Sequence, residues 1–472
     1  MNSNDIKILE EKSSEIGNEM FQLMKELFPI CRSITGNGVR QTLEIIKKHI
    51  HLENHEVSSG TKVYDWTIPK EWNIQDAYII DQNGEKIVDF KKSNLHVVNY
   101  STPINQKISL SELKKHIHTI PEKPDLIPYV TSYYLENWGF CMAHNQFVNL
   151  KEGEYHIVID SKLDNGSLTY GEYLIPGKSE DEILLSCYVC HPSMCNDNLS
   201  GIVLLTMLAK YLQSFKNNYS IRFLFIPETI GAITWLNNNE GSITKIKHGL
   251  VATCLGDSGS LTYKRTRNGN DEIDKTVENI LKKSNVEFRV LDFFPWGSDE
   301  RQFCSPGFNL SVGSLLRSIY GSNGFPEYHT SGDNLNFMSV KSLAESFIMY
   351  LSILFELESN FHLHSQNLKL DITKNLKNWS ENEKSKSDER YINLNPKCEP
   401  QLGKRGLYHQ SGGQESTMKQ RKNEFAIFWI LNLSDGNHTI QDISKRSGIP
   451  VEDLQTSIKI LINTKLLQKI EK

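Results

Sequence analysis

A chain of 472 residues exceeds one typical domain and leaves room for about two to four folding units, one of them large enough for an enzyme core. With 38% hydrophobic and 23% charged residues it reads as globular rather than disordered, and a net charge of −5 gives neither the basic surface of a nucleic-acid binder nor an acidic tail. Eight scattered cysteines are too few for a disulfide scaffold, no basic start precedes an apolar leader, and the longest apolar runs fall well short of the roughly 20 residues of a membrane-spanning helix, so a cytoplasmic protein with no membrane span is expected.

Taken in chain order, residues 6–51 read as two helices. Val39, Leu43, Ile46 and Ile50 recur at helical spacing, and Thr35-Gly-Asn-Gly38 marks the break. Residues 61–130 change texture, with short alternations such as Val63 to Ile68 and Ala77 to Ile80 punctuated by turns, and predict a small β-rich insert. Strands and helices then alternate: strand 183–189, helix 199–215, strand 221–226, helix 229–239, strand 249–255, helix 271–284, strand 286–291 and a closing helix at 340–357. That order predicts an α/β fold, a mostly parallel mixed sheet flanked by helices, whose ligands bind beyond the carboxyl ends of the strands. Residues 1–60 would supply helices to this core and 131–367 its body. The lysine-, asparagine- and serine-rich stretch 368–422 reads as a linker, and 423–472 as a three-helix module of winged-helix type with its turn at Ser447-Gly-Ile-Pro450.

Chemistry concentrates where strands end. Cys187-Tyr-Val-Cys190-His191-Pro-Ser-Met-Cys195-Asn-Asp197-Asn-Leu-Ser-Gly201 runs from a strand into a helix, and an imidazole and a carboxylate six residues apart suit zinc. Asp197 would serve equally as a helix cap. The Cys-x-x-Cys-His spacing also fits covalent haem, and three cysteines a structural zinc, but no export signal and no second cysteine pair accompany them; buried, inert thiols are the preferred account. Glu228, in Phe223-Leu-Phe-Ile-Pro-Glu228, is placed to act as a general base or, more simply, to sit at a helix N-terminus. Asp257 and His329 follow at further turns of the same edge.

These residues resemble the zinc aminopeptidase clan, in which a histidine, an aspartate in Asp-Asn-x-Ser-Gly, a glutamate, a further carboxylate and a late histidine bind metal and cleave amides. More narrowly, Phe28-Pro-Ile-Cys-Arg-Ser-Ile-Thr-Gly-Asn-Gly38, Cys190 to Gly201, Pro227-Glu-Thr-Ile-Gly231 and Pro326-Glu-Tyr-His-Thr-Ser331 resemble a bacterial aminopeptidase-like family with an N-terminal insert and a C-terminal winged helix. The resemblance implies a zinc-dependent hydrolase of aminopeptidase type with His191, Asp197, His329 and Asp257 as metal residues and Glu228 as general base. Where the clan has paired glutamates this chain has Glu228-Thr229, and Ser193 replaces an acid two positions after the first histidine, so one Zn2+ is expected rather than two. Asp257 is then either a ligand of a second ion or an anchor for a substrate ammonium.

Alternatives implied by the same resemblance are an amidase or deacylase in surface-polysaccharide biosynthesis and a catalytically reduced, metal-stabilised binding protein. A small peptide or amide is the expected substrate. For the C-terminal module, nine basic against six acidic residues over 418–472 and the acids Glu452 and Asp453 opening its last helix make a protein partner or self-association the expectation rather than nucleic acid.

Overall fold

The computed structural model describes residues 3–320, 324–361, 389–408 and 418–470. Its largest element is an eight-stranded mixed sheet in the order Glu53–Ser58, Ser167–Ile175, Ser220–Ile226, Glu182–Tyr188, Ile246–Ala252, Val312–Leu316, Leu261–Lys264, Phe288–Leu291. The four central strands from Ser220–Ile226 to Val312–Leu316 run parallel, while the neighbours on either side join antiparallel. Every residue of Glu182–Tyr188 is buried, which explains why, apart from Ser186 and the Glu182 paired with Arg222, it is apolar: a parallel strand covered on both faces has no solvent side to alternate with. Helices Ser13–Leu27, Ser200–Leu212 and Val340–Ser359 pack on one face, and Ile230–Asn239 packs on the other. Parallel central strands put their carboxyl ends along one edge, and the loops leaving that edge carry the candidate site. No described helix is long and apolar enough to cross a membrane.

Three details differ from the sequence expectation. The N-terminal segment forms three helices, Ser3–Glu11, Ser13–Leu27 and Asn37–Lys47, because the chain kinks at Lys12. The insert does not close at residue 130: its antiparallel sheet, ordered Lys86–Asp89, Glu71–Ile80, Glu154–Asp164, Ile104–Ser109, takes its third strand from beyond that boundary. The linker expected over 368–422 is corrected in part, since Arg390–Asn393 pairs with both Asp435–Thr439 and Leu467–Lys469 to make the small sheet of the C-terminal module. Residues 368–388 and 409–417 of that stretch lie outside the described residues.

The insert is fastened to the core by an ion pair. Arg40 of Asn37–Lys47 donates from Nη1 and Nη2 to the two carboxylate oxygens of Glu71 at 2.8 and 2.7 Å. The Arg40 hydrogen bonds hold the Glu71 carboxyl down to about 2 from its ordinary 4.5. A depressed carboxylate contributes stability that is complete above about 4.5 and is lost as pH falls toward 2. Acid unfolding followed by circular dichroism is therefore expected to flatten across this window in E71Q relative to the parent.

Candidate metal centre

His191 stands three residues past the end of Glu182–Tyr188, Asp197 lies on the loop entering helix Ser200–Leu212, and His329 lies on the loop before Val340–Ser359. The fold brings one ligand atom from each of the three within 4.8 Å of the others, the single group of this kind among the described residues. His329 Nε2 and Asp197 Oδ2 are 3.0 Å apart, yet both are buried with no hydrogen-bond partner among the described residues. Beyond this close contact with each other neither atom has a partner among the described residues, and two buried polar atoms so placed are better satisfied by a third group that serves both; a cation is such a group. Two imidazoles and one carboxylate are a donor set that suits zinc.

Electrostatics prepare the same residues for a cation. Burial drives His191 down to about 4, so its imidazole is neutral at pH 7, the form that binds metal. Burial alone would raise Asp197, but His191, His329 and the Tyr188 hydrogen bond outweigh it and leave the carboxyl at about 2, ionised.

Loops this polar need scaffolding, and much of it comes from afar. The fully buried Arg32, in the 28–38 segment singled out by sequence, donates from Nε to the His191 carbonyl at 2.9 Å and from Nη1 to Leu27 O at 2.7 Å. Ser193 Oγ donates to Phe28 O at 2.8 Å. Asp333 accepts from the amides of Asn196 and Asp197 at 2.6 and 2.9 Å, and burial pushes its carboxyl up to about 8. Between the insert's strands Ile104–Ser109 and Glu154–Asp164, Tyr129 N donates to His329 O at 2.8 Å while its ring lies 5.2 Å from that of His191 and 5.3 Å from that of His329. Ser193, Thr229, Cys254 and His329 all hold positive φ, between 42° and 63°, although none is glycine. Left-handed backbone of this kind costs energy and collects at sites whose geometry is imposed by the surroundings.

Gly201 has a packing reason as well. A methyl there would overlap the Ala252 carbonyl oxygen and the Asn198 amide, where the helix crosses the neighbouring strand end. G201A is expected to cost about 1–3 kcal/mol and to lower the melting temperature; an unchanged melt would contradict this contact.

Glu228 borders the trio, with Oε2 3.8 Å from His191 Nε2. Burial, then the charges of Asp299 and Asp197, push its carboxyl well above the usual range. Asp299 is itself raised to about 7 by burial, and its Oδ1 accepts from Thr229 N at 2.7 Å. Arg301 donates to Thr229 Oγ1 at 3.0 Å and lies 3.0 Å from Glu399 of the C-terminal module. Asp257 is not brought into the group. Its oxygens are occupied by Asn196 Nδ2 at 2.8 Å, Ser318 Oγ at 2.6 Å and Gly259 N at 2.6 Å. The eight cysteines are free, and Cys187, Cys190 and Cys195 have thiols pushed up by burial, the behaviour of inert core residues.

Sequence reading passed over Tyr188, Asp333 and the Arg301–Glu399 pair. Tyr188 had one available signal, a phenol closing a mainly apolar strand at the edge that carries the candidate site.

Residues 21–360 match the family described as a domain of unknown function, DUF4910, and residues 389–469 match a winged helix-turn-helix family. A Clostridium acetobutylicum protein, provisionally named as a polysaccharide biosynthesis protein with an aminopeptidase-like domain, is 53% identical over 460 residues, 98% of either chain. A crystal structure from the same organism, provisionally named a peptidase, superposes with a TM-score of 0.74 at 52% identity, covering 99% of this chain and 100% of that one. BSAP, a zinc aminopeptidase from Bacillus subtilis, shares the fold at a TM-score of 0.54 and 11% identity, over 73% of this chain and 94% of its own. The chain belongs to the DUF4910 family, an aminopeptidase-like α/β domain, and carries a winged helix-turn-helix at its C-terminal end.

Proposed function

We propose that the chain is a zinc-dependent amide hydrolase of aminopeptidase type, with His191, Asp197 and His329 holding one ion and Glu228 as general base. The observation that carries this reading is the convergence of the three ligand atoms with two of them, Asp197 Oδ2 and His329 Nε2, buried and lacking a hydrogen-bond partner among the described residues. Zinc, when bound, supplies a Lewis acid and brings the pKa of its water to about 7. Glu228 lies beside His191, placed to take up the proton of the attacking water and pass it to the leaving amine. Asp257 stays outside the proposed ligand set, because its oxygens already serve Asn196, Gly259 and Ser318.

A second reading, amide cleavage or deacylation on a sugar, is favoured by the name of the Clostridium acetobutylicum relative. Metal analysis of the purified protein, together with aminoacyl-anilides and N-acyl sugars assayed with and without chelator, tests both. Chelator-sensitive turnover of an anilide supports the first substrate class, and of an N-acyl sugar the second. Turnover that survives complete metal removal excludes the mechanism.

For the C-terminal module, a role in protein contact rather than nucleic-acid binding is supported by its charge placement. Arg446 donates to the Arg267 carbonyl of the core, and the helix Val451–Asn463 opens on the exposed acids Glu452 and Asp453.

A further inference from the structure

The two oxygens of Asp197 have different surroundings. Oδ2 faces His329 Nε2 without a hydrogen bond, whereas Oδ1 accepts a hydrogen bond from the Tyr188 phenol, whose oxygen lies 2.7 Å from Thr253 Oγ1. Tyr188 is the last residue of the central strand and is 3% exposed, so its ring is fixed by packing on all sides. We propose that Tyr188 is the positioning residue that sets the ion count at one: its phenol occupies the Asp197 oxygen, and the space, through which that carboxylate would bridge to a second cation.

Thr229 directs its hydroxyl to Arg301 and its amide to Asp299, and Asp257 is engaged by Asn196, Ser318 and Gly259. Thr253, directly after strand Ile246–Ala252, offers a neutral hydroxyl. Divalent transition metals need charged oxygens, thiolates or imidazoles to leave water, and a phenol paired with a threonine hydroxyl provides none of these. Hydrogen bonding of one carboxylate oxygen also leaves Asp197 a single oxygen to donate, which matches a compact four-coordinate ion.

This inference rests on the zinc reading above, and the test separates the two. The full-length protein is stripped of metal, reloaded with excess Zn2+, desalted and analysed for metal per chain. One equivalent is expected in the parent and two in Y188D, where the phenol is withdrawn and a carboxylate faces Asp197 Oδ1 across the freed space. Because a buried aspartate could prevent folding, Y188F provides a second measurement after loading with Co2+. Loss of the phenol hydroxyl frees Oδ1 to turn toward the ion, so its coordination number rises and its visible absorption weakens relative to the parent. Two ions in the parent overturn the role given to Tyr188 while leaving the zinc reading intact. A folded Y188D that still takes one ion, or a Y188F cobalt spectrum identical to the parent's, also overturns it. No ion in the parent overturns the zinc reading and this inference with it.

Discussion

Replacing Glu228 by glutamine is expected to lower kcat roughly a hundred- to ten-thousandfold, the usual contribution of a positioned general base, while zinc content stays at the parental level. The substitution keeps the shape of the side chain and removes its ability to hold a proton as a carboxyl. Glu228 touches the trio only at 3.8 Å from His191 and is absent from the ligand group, so metal binding should not notice the change. Turnover of a metal-replete E228Q at the parental rate would remove Glu228 from the mechanism. A loss of zinc together with activity would instead make it a ligand.

The second large effect is expected at Asp197. Asn keeps an oxygen to accept from Tyr188, so D197N should fold, but the charge that balances a dication between the two imidazoles is gone. Removing hydrogen-bond partners around metal ligands typically costs 10–100-fold in affinity, and loss of the ligand itself should exceed about a hundredfold. Thermal melts read this directly. Zinc at about a hundred times its Kd stabilises the folded parent by about 2.7 kcal/mol, and that metal-dependent rise should vanish in D197N while the metal-free melts stay close. An equal zinc-dependent rise in both proteins would place the ion elsewhere.

What could be read from sequence follows from how far each determinant acts. The α/β order was legible because the central strands are buried on both faces and so spell mainly apolar runs, as Ile183 to Val189 does apart from Ser186. His191, Asp197 and His329 were legible because their residue types fit metal chemistry and their neighbours carry turn and helix-start signals. Asp257 lies outside the trio. It is five residues past the end of Ile246–Ala252, and the chain has turned through Cys254, at φ 51°, before reaching it; Thr253 is the residue left beside Tyr188 and Asp197. Strand Arg390–Asn393 was hidden because four residues in a polar stretch carry too short an alternation, and its pairing comes from strands 42 or more residues away in the sequence. Arg32, Asp333 and Arg301 act over long sequence separations, where no local pattern links a guanidinium or carboxylate to the backbone it holds.

The contact between Arg301 and Glu399 bears on how this chain tolerates rearrangement. Arg301 reaches from the residue behind Glu228 to the C-terminal module, whose Glu399 carbonyl also accepts from Trp66 Nε1 at 2.8 Å, while Arg267 of the core reaches Asn432 and Asp435. The winged helix is thus a buttress rather than a cargo. A recombination event that exchanged it for an unrelated module would strip Glu399 from Arg301 and leave that guanidinium to Asp299 and Glu228 alone, so the two parts are tied to one another by the wall beside Glu228.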